Sequence, residues 1–326
     1  MKAFNAVVPM LLAGVLIGLA GPVAAQQAYP SKPIRFITPY PPGGSTTPMA
    51  RIVGQKLGER WGQQVIIDNR GGGNTVIGTE IVAKAPPDGY TILLISSAFL
   101  STPSLLPFLP YDPVRDFDAV ATISTSRFVL VVHPSVPANT LQEFISLAKS
   151  QPGKLNYGSS GVGANTHLSA ELFDLMVGTK MQHIPYKGSG PLVSDLIGGQ
   201  VQISFQVPIS VISHIKSGRL KTIAITGETR VSALPQVPTF AEAGLPGYGL
   251  AGWFGIAAPA GTPKDIINKM SSEVVAILGT PDVQKFLANQ GSEAFISTPE
   301  QTAALIKEGI AKYARIIKAA NIKVEK

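Results

Sequence analysis

The chain has 326 residues, of which 45% are apolar and only 14% are charged, with 27 basic and 20 acidic side chains. This length exceeds one small module and supplies enough apolar sequence for a large core, which excludes a disordered chain. The absence of cysteine excludes disulfides, thiolate-bound zinc, iron–sulfur clusters, cysteine catalysis and a lipoprotein anchor.

The N-terminus has the pattern of an export signal. Lys2 precedes an apolar run over residues 3–20, and Gly21-Pro22 is followed by small residues up to Ala25. This pattern predicts a signal peptide over residues 1–25, cleaved after Ala25, and therefore a periplasmic protein. A membrane-anchoring helix is the alternative, because the apolar run approaches the length that spans a bilayer.

The formal net charge of +7 limits the choice of partner. Basic residues are scattered singly along the chain and form no stripe, so no nucleic-acid partner is predicted. A mild positive field favours small anionic molecules. A monomer is expected.

Short apolar strands alternate with helical segments along almost the whole chain. The predicted strands cover residues 34–38, 65–68, 91–96, 128–133, 155–159, 181–185, 201–206, 220–226 and 253–258. This alternation is typical of an α/β fold with mainly parallel sheets. Helix starts are marked at Thr140 with Glu143 and at Thr298 with Gln301, which have the spacing of capping boxes. The last helix is predicted over 299–320.

No linker separates two halves of the chain, which favours two lobes between which the chain crosses and returns. The predicted strands 128–133 and 253–258 are the best crossing points. The prediction is a discontinuous first lobe, residues 26–125 and 252–326, around a second lobe of residues 126–251. Two sequential domains divided near Pro152 are the alternative.

A glycine-rich turn follows the first strand and opens the first helix, whose predicted body is 49–60. The N-terminus of a helix attracts anions, because its first N–H groups lack partners and the helix dipole is positive there. Ordinary capping, with Thr47 as the N-cap and Pro48 as the first helical residue, is the other interpretation. The candidate ligand-binding residues of this turn are Tyr40, Gly43, Gly44, Ser45, Thr46 and Thr47.

Two further strand-to-helix turns have similar chemistry. The turn after residue 158 precedes a helix with an apolar side, and it contributes Ser159, Ser160, Gly163, Asn165, Thr166 and His167 as candidates. The next turn contributes the flat ring of Tyr186 and the mobile cation of Lys187, which suits a carboxylate. Ser96, Ser97, Phe99 and Gln206 stand at the ends of other strands. Turns from both lobes that face one cleft would form a ligand clamp.

Several catalytic and cofactor motifs are absent from the sequence. The stretch 161–166 lacks the third glycine of a dinucleotide fingerprint, and no P-loop is present. The four histidines lie far apart without metal-binding spacing, so no metal or cofactor is predicted. Ser160 lacks the second glycine of a nucleophile elbow. An exported hydrolase using Ser159 or Ser160 with His167 remains the alternative function.

Six segments together resemble the Bug-type substrate-binding proteins of tripartite tricarboxylate transporters. These segments are residues 29–35, 41–46, 68–70, 83–90, 183–188 and 253–263. The resemblance extends from about Tyr29 to the C-terminus. It implies a two-lobed type II periplasmic-binding-protein fold and a receptor, not an enzyme, that delivers a small carboxylate to a membrane permease. It also implies that turns 43–47 and 159–166 bind the carboxylate, partly through ordered water. A sensor that signals through another protein would use the same ligand clamp, and this function remains an alternative.

The sequence departs from the family pattern at two positions. Members often carry Asp where this chain has Thr47, and another Asp where it has Gln206. The loss of two negative charges removes partners for a ligand ammonium, so we expect a ligand without an amino group. Tyr40, Phe99 and Tyr186 would accommodate an aromatic acid such as a benzoate or terephthalate as well as an aliphatic one.

Overall fold

The computed structural model describes residues 29–250, 252–319 and 322. The predicted signal peptide lies outside these residues. Helices and strands alternate along the described chain. The strands are β1 Ile34–Thr38, β2 Val65–Asn69, β3 Thr91–Ile95, β4 Phe117–Ser126, β5 Val129–Val132, β6 Asn156–Ser159, β7 Gln182–Pro185, β8 Ile203–Gln206, β9 Lys221–Ile225, β10 Gly252–Pro259 and β11 Ser292–Ala294. The helices are α1 Thr46–Trp61, α2 Val76–Ala83, α3 Ser97–Leu105, α4 Leu141–Ser150, α5 Asn165–Val177, α6 Ser189–Ile197, α7 Pro208–Lys216, α8 Lys264–Leu278, α9 Pro281–Asn289 and α10 Pro299–Ala319.

The strands form two separate sheets, as expected for a two-lobed α/β fold. The first has the order β11-β4-β10-β3-β1-β2 and the second β7-β6-β8-β5-β9. Strands β1, β2 and β3 are parallel, as are β6, β7 and β8. Strands β4, β5 and β10, which flank the passages between the sheets, pair antiparallel to their neighbours.

The chain passes from the first sheet to the second between β4 and β5, and it returns between β9 and β10. A division near Pro152 would cut the second sheet, because β5 pairs with β8 and β9. We keep the predicted lobe boundaries, at residues 125/126 and 251/252, as a proposal.

Apolar helix faces cover both sides of each sheet. The largest fully buried side chains include Phe36 and Leu57 in the first lobe and Tyr157 and Phe205 in the second. Burial of each such side chain contributes about 1.5–3 kcal/mol. No helix in the described ranges is both long and apolar enough to cross a bilayer.

The predicted helix starts at Thr140 and Thr298 are confirmed. Thr140 Oγ1 accepts the N–H of Glu143, whose carboxylate accepts the N–H of Thr140. Thr298 and Gln301 make the same reciprocal pair. Strands β4 and β11 are absent from the predictions. β4 carries alanine, serine, threonine and aspartate in place of a continuous aliphatic run, and β11 is only three residues long.

Candidate functional site

A small cavity of about 50 Å³ lies between the two sheets. It has room for about four water molecules, since one water needs roughly 10–15 Å³ on this measure. Strands of the first sheet and loops and helix starts next to the second sheet contribute residues to its wall, and no charged side chain is among the described residues that line it. The wall consists of Tyr40, Gly44, Ser45, Thr46, Ser96, Ser97, Ser126, Phe128, Ser160, Asn165, Thr166, Ser189, Val207, Gly252, Trp253 and Phe254.

Five helices begin at this cavity. Residues of α1, α3, α5 and α6 in their first turns, and the residue before α7, belong to its wall. Each helix follows a strand whose carboxyl end faces the space between the sheets, which is the usual ligand position in open α/β sheets. Because the N-terminal end of every helix is electropositive, the cavity attracts an anion without a basic side chain in its wall.

Three polar side-chain atoms of the wall have no hydrogen-bond partner within the described part of the chain. They are Thr46 Oγ1, Ser126 Oγ and Asn165 Nδ2. All three residues are buried, with exposed fractions of 5%, 2% and 2%. A buried polar group without a partner costs about 1–3 kcal/mol. A ligand with oxygen acceptors would satisfy all three.

Asn165 is held by two helices that pack on the first sheet, α3 and α10. The hydroxyl of Tyr313, on α10, donates to Asn165 Oδ1. The Asn165 N–H donates to Ser97 Oγ at 3.3 Å. Burial raises the pKa of Tyr313, so its hydroxyl keeps the proton that it donates. With Oδ1 occupied by Tyr313, the amide presents its N–H₂ group to the cavity, the correct polarity for a carboxylate.

The glycine-rich turn before α1 touches the start of α6 across the cleft. A Cβ on Gly44 would lie 3.2 Å from the Cβ of Ser189. A Cβ on Gly190 would lie only 2.3 Å from the carbonyl oxygen of Pro42. Gly43 has a φ of 93°, which other residues rarely adopt. The backbones of the two turns are therefore in contact, and only glycine, which has no Cβ, permits this close approach.

Nine of the predicted residues lie in the cavity wall: Tyr40, Gly44, Ser45, Thr46, Ser96, Ser97, Ser160, Asn165 and Thr166. Two more, Tyr186 and Lys187, line a second cavity of about 180 Å³ that shares Tyr40 and Ser160 with the first.

The other predicted residues are in the wall of neither cavity, and their contact with the ligand stays a prediction. Gly43 shapes the turn but is not in the wall. Thr47 Oγ1 accepts a hydrogen bond from the side-chain amide of Asn69 at 2.8 Å. Thr47 is not the N-cap, because α1 already begins at Thr46. Phe99 packs edge-to-face on Phe117, in the core.

Gln206 lies within the second sheet. Its amide donates to Ser204 Oγ and its carbonyl oxygen accepts from Ser210, so both ends of the side chain are used inside the lobe. Gln206 is not among the residues of the cavity wall.

Ser159, Gly163 and His167 are also absent from the wall, and the serine–histidine pair of the alternative hydrolase is not hydrogen-bonded in this structure. His167 Nδ1 accepts the N–H of Gly163. Ser159 Oγ instead lies 2.7 Å from Nε2 of His183, and Ser160 Oγ lies 2.9 Å from Thr166 Oγ1. Neither serine is hydrogen-bonded to His167. The hydrogen bonds that these side chains make hold the turn between β6 and α5.

His183 stacks on His167 with ring centroids 3.9 Å apart. Burial, assisted by His167, lowers the pKa of His183 to about 3 from its usual 6.5. The folded protein therefore holds this ring neutral, while the unfolded chain binds a proton below pH 6.5. The stabilisation is complete above pH 6.5 and is lost progressively as the pH falls towards 3.

We expect acidification to destabilise the protein partly through His183. Between pH 6.5 and pH 5 this residue should remove about 2 kcal/mol from the free energy of unfolding. Urea titrations at both pH values, on the wild type and on His183→Gln, measure the contribution. The variant should show the smaller pH dependence, and an equal dependence in both proteins would contradict this expectation.

Several wall residues are absent from the sequence-based candidates. Ser126, Phe128, Gly252, Trp253 and Phe254 lie where the chain passes between the sheets. The sequence marks 253–258 as a crossing strand, and a ligand between two lobes must meet such strands. Ser189 belongs to a turn already singled out, beside Lys187, and Val207 precedes α7. Among the described residues, no cluster of three metal-ligating side chains occurs.

Comparisons with known proteins place the chain among receptors of one family. Residues 49–322 match the model of the "Tripartite tricarboxylate transporter family receptor" family. Protein BugT of Bordetella pertussis (strain Tohama I) is 38% identical over 313 residues, which are 94% of this chain and 95% of BugT. A solved "periplasmic transporter" is 42% identical with a TM-score of 0.88, over 91% of this chain and 100% of that structure. R. palustris Rpa4515, solved with adipate, is 34% identical with a TM-score of 0.88, over 90% of this chain and 99% of its own.

Proposed function

Since this chain belongs to the tripartite tricarboxylate transporter family of receptors, we propose that it captures a small carboxylate in the periplasm and delivers it to a membrane permease. The ligand binds between the lobes, the lobes close around it, and it leaves chemically unchanged. The single observation that supports this proposal best is the uncharged cavity at which five helices begin. The adipate in the related Rpa4515 structure is a ligand of the same class.

The ligand-binding residues that we propose are those of the first cavity that carry free polar groups. Thr46 and Ser45 stand at the start of α1, and Asn165 and Thr166 stand at the start of α5. A carboxylate between these helices would accept hydrogen bonds from the hydroxyl of Thr46 and the side-chain amide of Asn165. A hydrogen bond to a charged group contributes about 1.5–3 kcal/mol.

The same wall disfavours amino acids. A ligand ammonium needs an acidic partner, and none of the described residues around the cavity is acidic. We therefore propose an aliphatic or aromatic carboxylate without an amino group.

A thermal-shift screen of small carboxylates, followed by analysis of the recovered ligand, tests the function. A receptor gains RT ln(1 + [L]/Kd) of stability, about 2.7 kcal/mol when the ligand is at 100 times its Kd. Simple carboxylates should raise Tm more than glutamate or aspartate, and the ligand should be recovered intact. Conversion of the ligand, or stabilisation by the two amino acids alone, would contradict the proposal.

Removal of the α1 hydroxyls should weaken binding while the fold is retained. We expect Ser45→Ala with Thr46→Ala to raise the Kd for the best carboxylate of the screen about 30-fold, because the hydrogen bond lost from Thr46 to a charged group costs about 1.5–3 kcal/mol. Calorimetry measures the Kd, and urea unfolding should show a change below about 1 kcal/mol. Unchanged affinity in the double variant would exclude this turn as the anion site.

A further inference from the structure

The two passages of the chain between the sheets meet at one wall of the first cavity. Ser126 is the last residue of β4, before the first passage, and Gly252 is the first residue of β10, after the return. The two residues are paired in the antiparallel ladder of β4 and β10, and both line the cavity. Directly paired residues of an antiparallel ladder project to the same face of the sheet. The side chain of Ser126 therefore lies beside the space that a side chain at position 252 would fill.

Gly252 leaves this space open next to the amide of Asn165. A Cβ on Gly252 would lie 3.1 Å from Asn165 Nδ2 and 3.2 Å from Cζ of Phe128. Gly252 does not have a positive φ, so its backbone conformation does not require glycine. The close approach of the Asn165 amide and the Phe128 ring does. Glycine at this position keeps the amide accessible from the cavity.

The hydroxyl of Ser126 lacks a partner at the same place. Ser126 is only 2% exposed, and its Oγ has no hydrogen-bond partner among the described residues. A hydroxyl carries one donor and two acceptor positions, and buried polar groups in folded proteins are nearly always bonded. Asn165 Nδ2 is the other unbonded donor beside the open space. Two donors without partners thus flank the gap left by Gly252.

We propose that Ser126 is a further ligand-binding residue and that Gly252 provides the room for the group it binds. The carboxylate that Thr46 and Asn165 hold also accepts a hydrogen bond from Ser126 Oγ. A carboxylate has about four acceptor positions on its two oxygens, so one group satisfies all three donors. This inference rests on the proposed function, because it concerns the same carboxylate. It adds that the ligand contacts both passages of the chain as well as the glycine-rich turns.

Ser126→Ala tests the hydrogen bond, with each acid compared with its neutral amide: adipate with adipamide, and benzoate with benzamide. Calorimetry should show a Kd about tenfold higher for the acid that binds the wild type better. The preference for that acid over its amide should fall about fivefold, because a hydrogen bond to a charged acceptor is stronger than one to a neutral carbonyl. Ser169→Ala is the control. Its hydroxyl is also buried and without a partner in the described ranges, but Ser169 lines neither cavity, so both quantities should keep their wild-type values.

Gly252→Ala tests the space and should raise the Kd for the same acid about 30-fold, because the new Cβ presses on the Asn165 amide. Gly249→Ala is its control. Gly249 is exposed and lacks a positive φ, and an added Cβ would lie 3.8 Å from its nearest neighbour, so the Kd should not change. Urea unfolding establishes that the variants are folded.

Two results for Ser126→Ala would overturn the inference while the proposed function stands: a wild-type Kd, or a raised Kd with an unaltered preference for acid over amide. A wild-type Kd for Gly252→Ala would overturn it as well. Failure of both acids to raise the Tm of the wild type would instead count against the proposed function.

Discussion

Asn165→Asp should abolish carboxylate binding, with a rise in Kd of at least about 100-fold. The substitution keeps the shape of the side chain and its bond from Tyr313. It replaces the N–H₂ group that faces the cavity by a carboxylate oxygen. Like charges placed together in a dehydrated site cost several kcal/mol, in addition to the lost hydrogen bond. Isothermal titration with the best carboxylate of the screen measures the effect.

Asn268→Asp is the matched control for this variant. Asn268 lies on α8, and its side chain is exposed. The control adds the same charge to the protein, so it separates the local effect from a change of net charge. We expect wild-type affinity for Asn268→Asp. Wild-type affinity for Asn165→Asp as well would show that the amide does not meet the ligand's anionic group.

Gly190→Ala should prevent full closure of the lobes and raise the Kd about 30-fold. The new Cβ would lie 2.3 Å from the carbonyl oxygen of Pro42, a backbone atom of the opposite turn. Overpacking of this kind costs about 1–3 kcal/mol, and the cost falls on any form of the protein in which the two turns are in contact. A form in which the turns separate should not lose stability, because alanine is a better helix former than glycine. Small-angle X-ray scattering with saturating ligand should show a larger radius of gyration than for the wild type.

Gly198→Ala, at the other end of α6, is the control for Gly190→Ala. Its φ of −76° suits alanine, and the added Cβ would lie 3.4 Å from the Ser194 oxygen, an ordinary contact. Calorimetry and scattering should match the wild type. If Gly190→Ala also closes and binds normally, the contact between the two turns has no part in ligand capture.

The α/β class and most strands follow from the sequence, because buried parallel strands and capped helices leave strong local patterns. The strand at 34–38 and the capping box at Thr140 are examples. Strand β4 is not predicted, because its small and polar residues do not form an aliphatic pattern. It is buried in the folded chain, where it lies between β10 and β11.

The sequence predicts those candidate site residues that a local pattern marks. It does not predict those whose position depends on tertiary packing. Ser45 and Asn165 stand at helix starts, which sequence marks by glycines and hydroxyls. Nothing local shows that Phe99 packs in the core or that His167 stacks on His183. The hydrogen bond from Tyr313 to Asn165 connects residues that are 148 positions apart in the sequence, and only the folded chain brings them together.

A crystal structure grown with the carboxylate that raises Tm most is the most direct test of capture between the lobes. We predict an unaltered acid with one carboxylate between the two sheets, hydrogen-bonded to Asn165 Nδ2 and Thr46 Oγ1. An acid bound elsewhere, for example in the exposed hollow lined by Pro103 and Arg115, or a reaction product in place of the acid, would contradict the account.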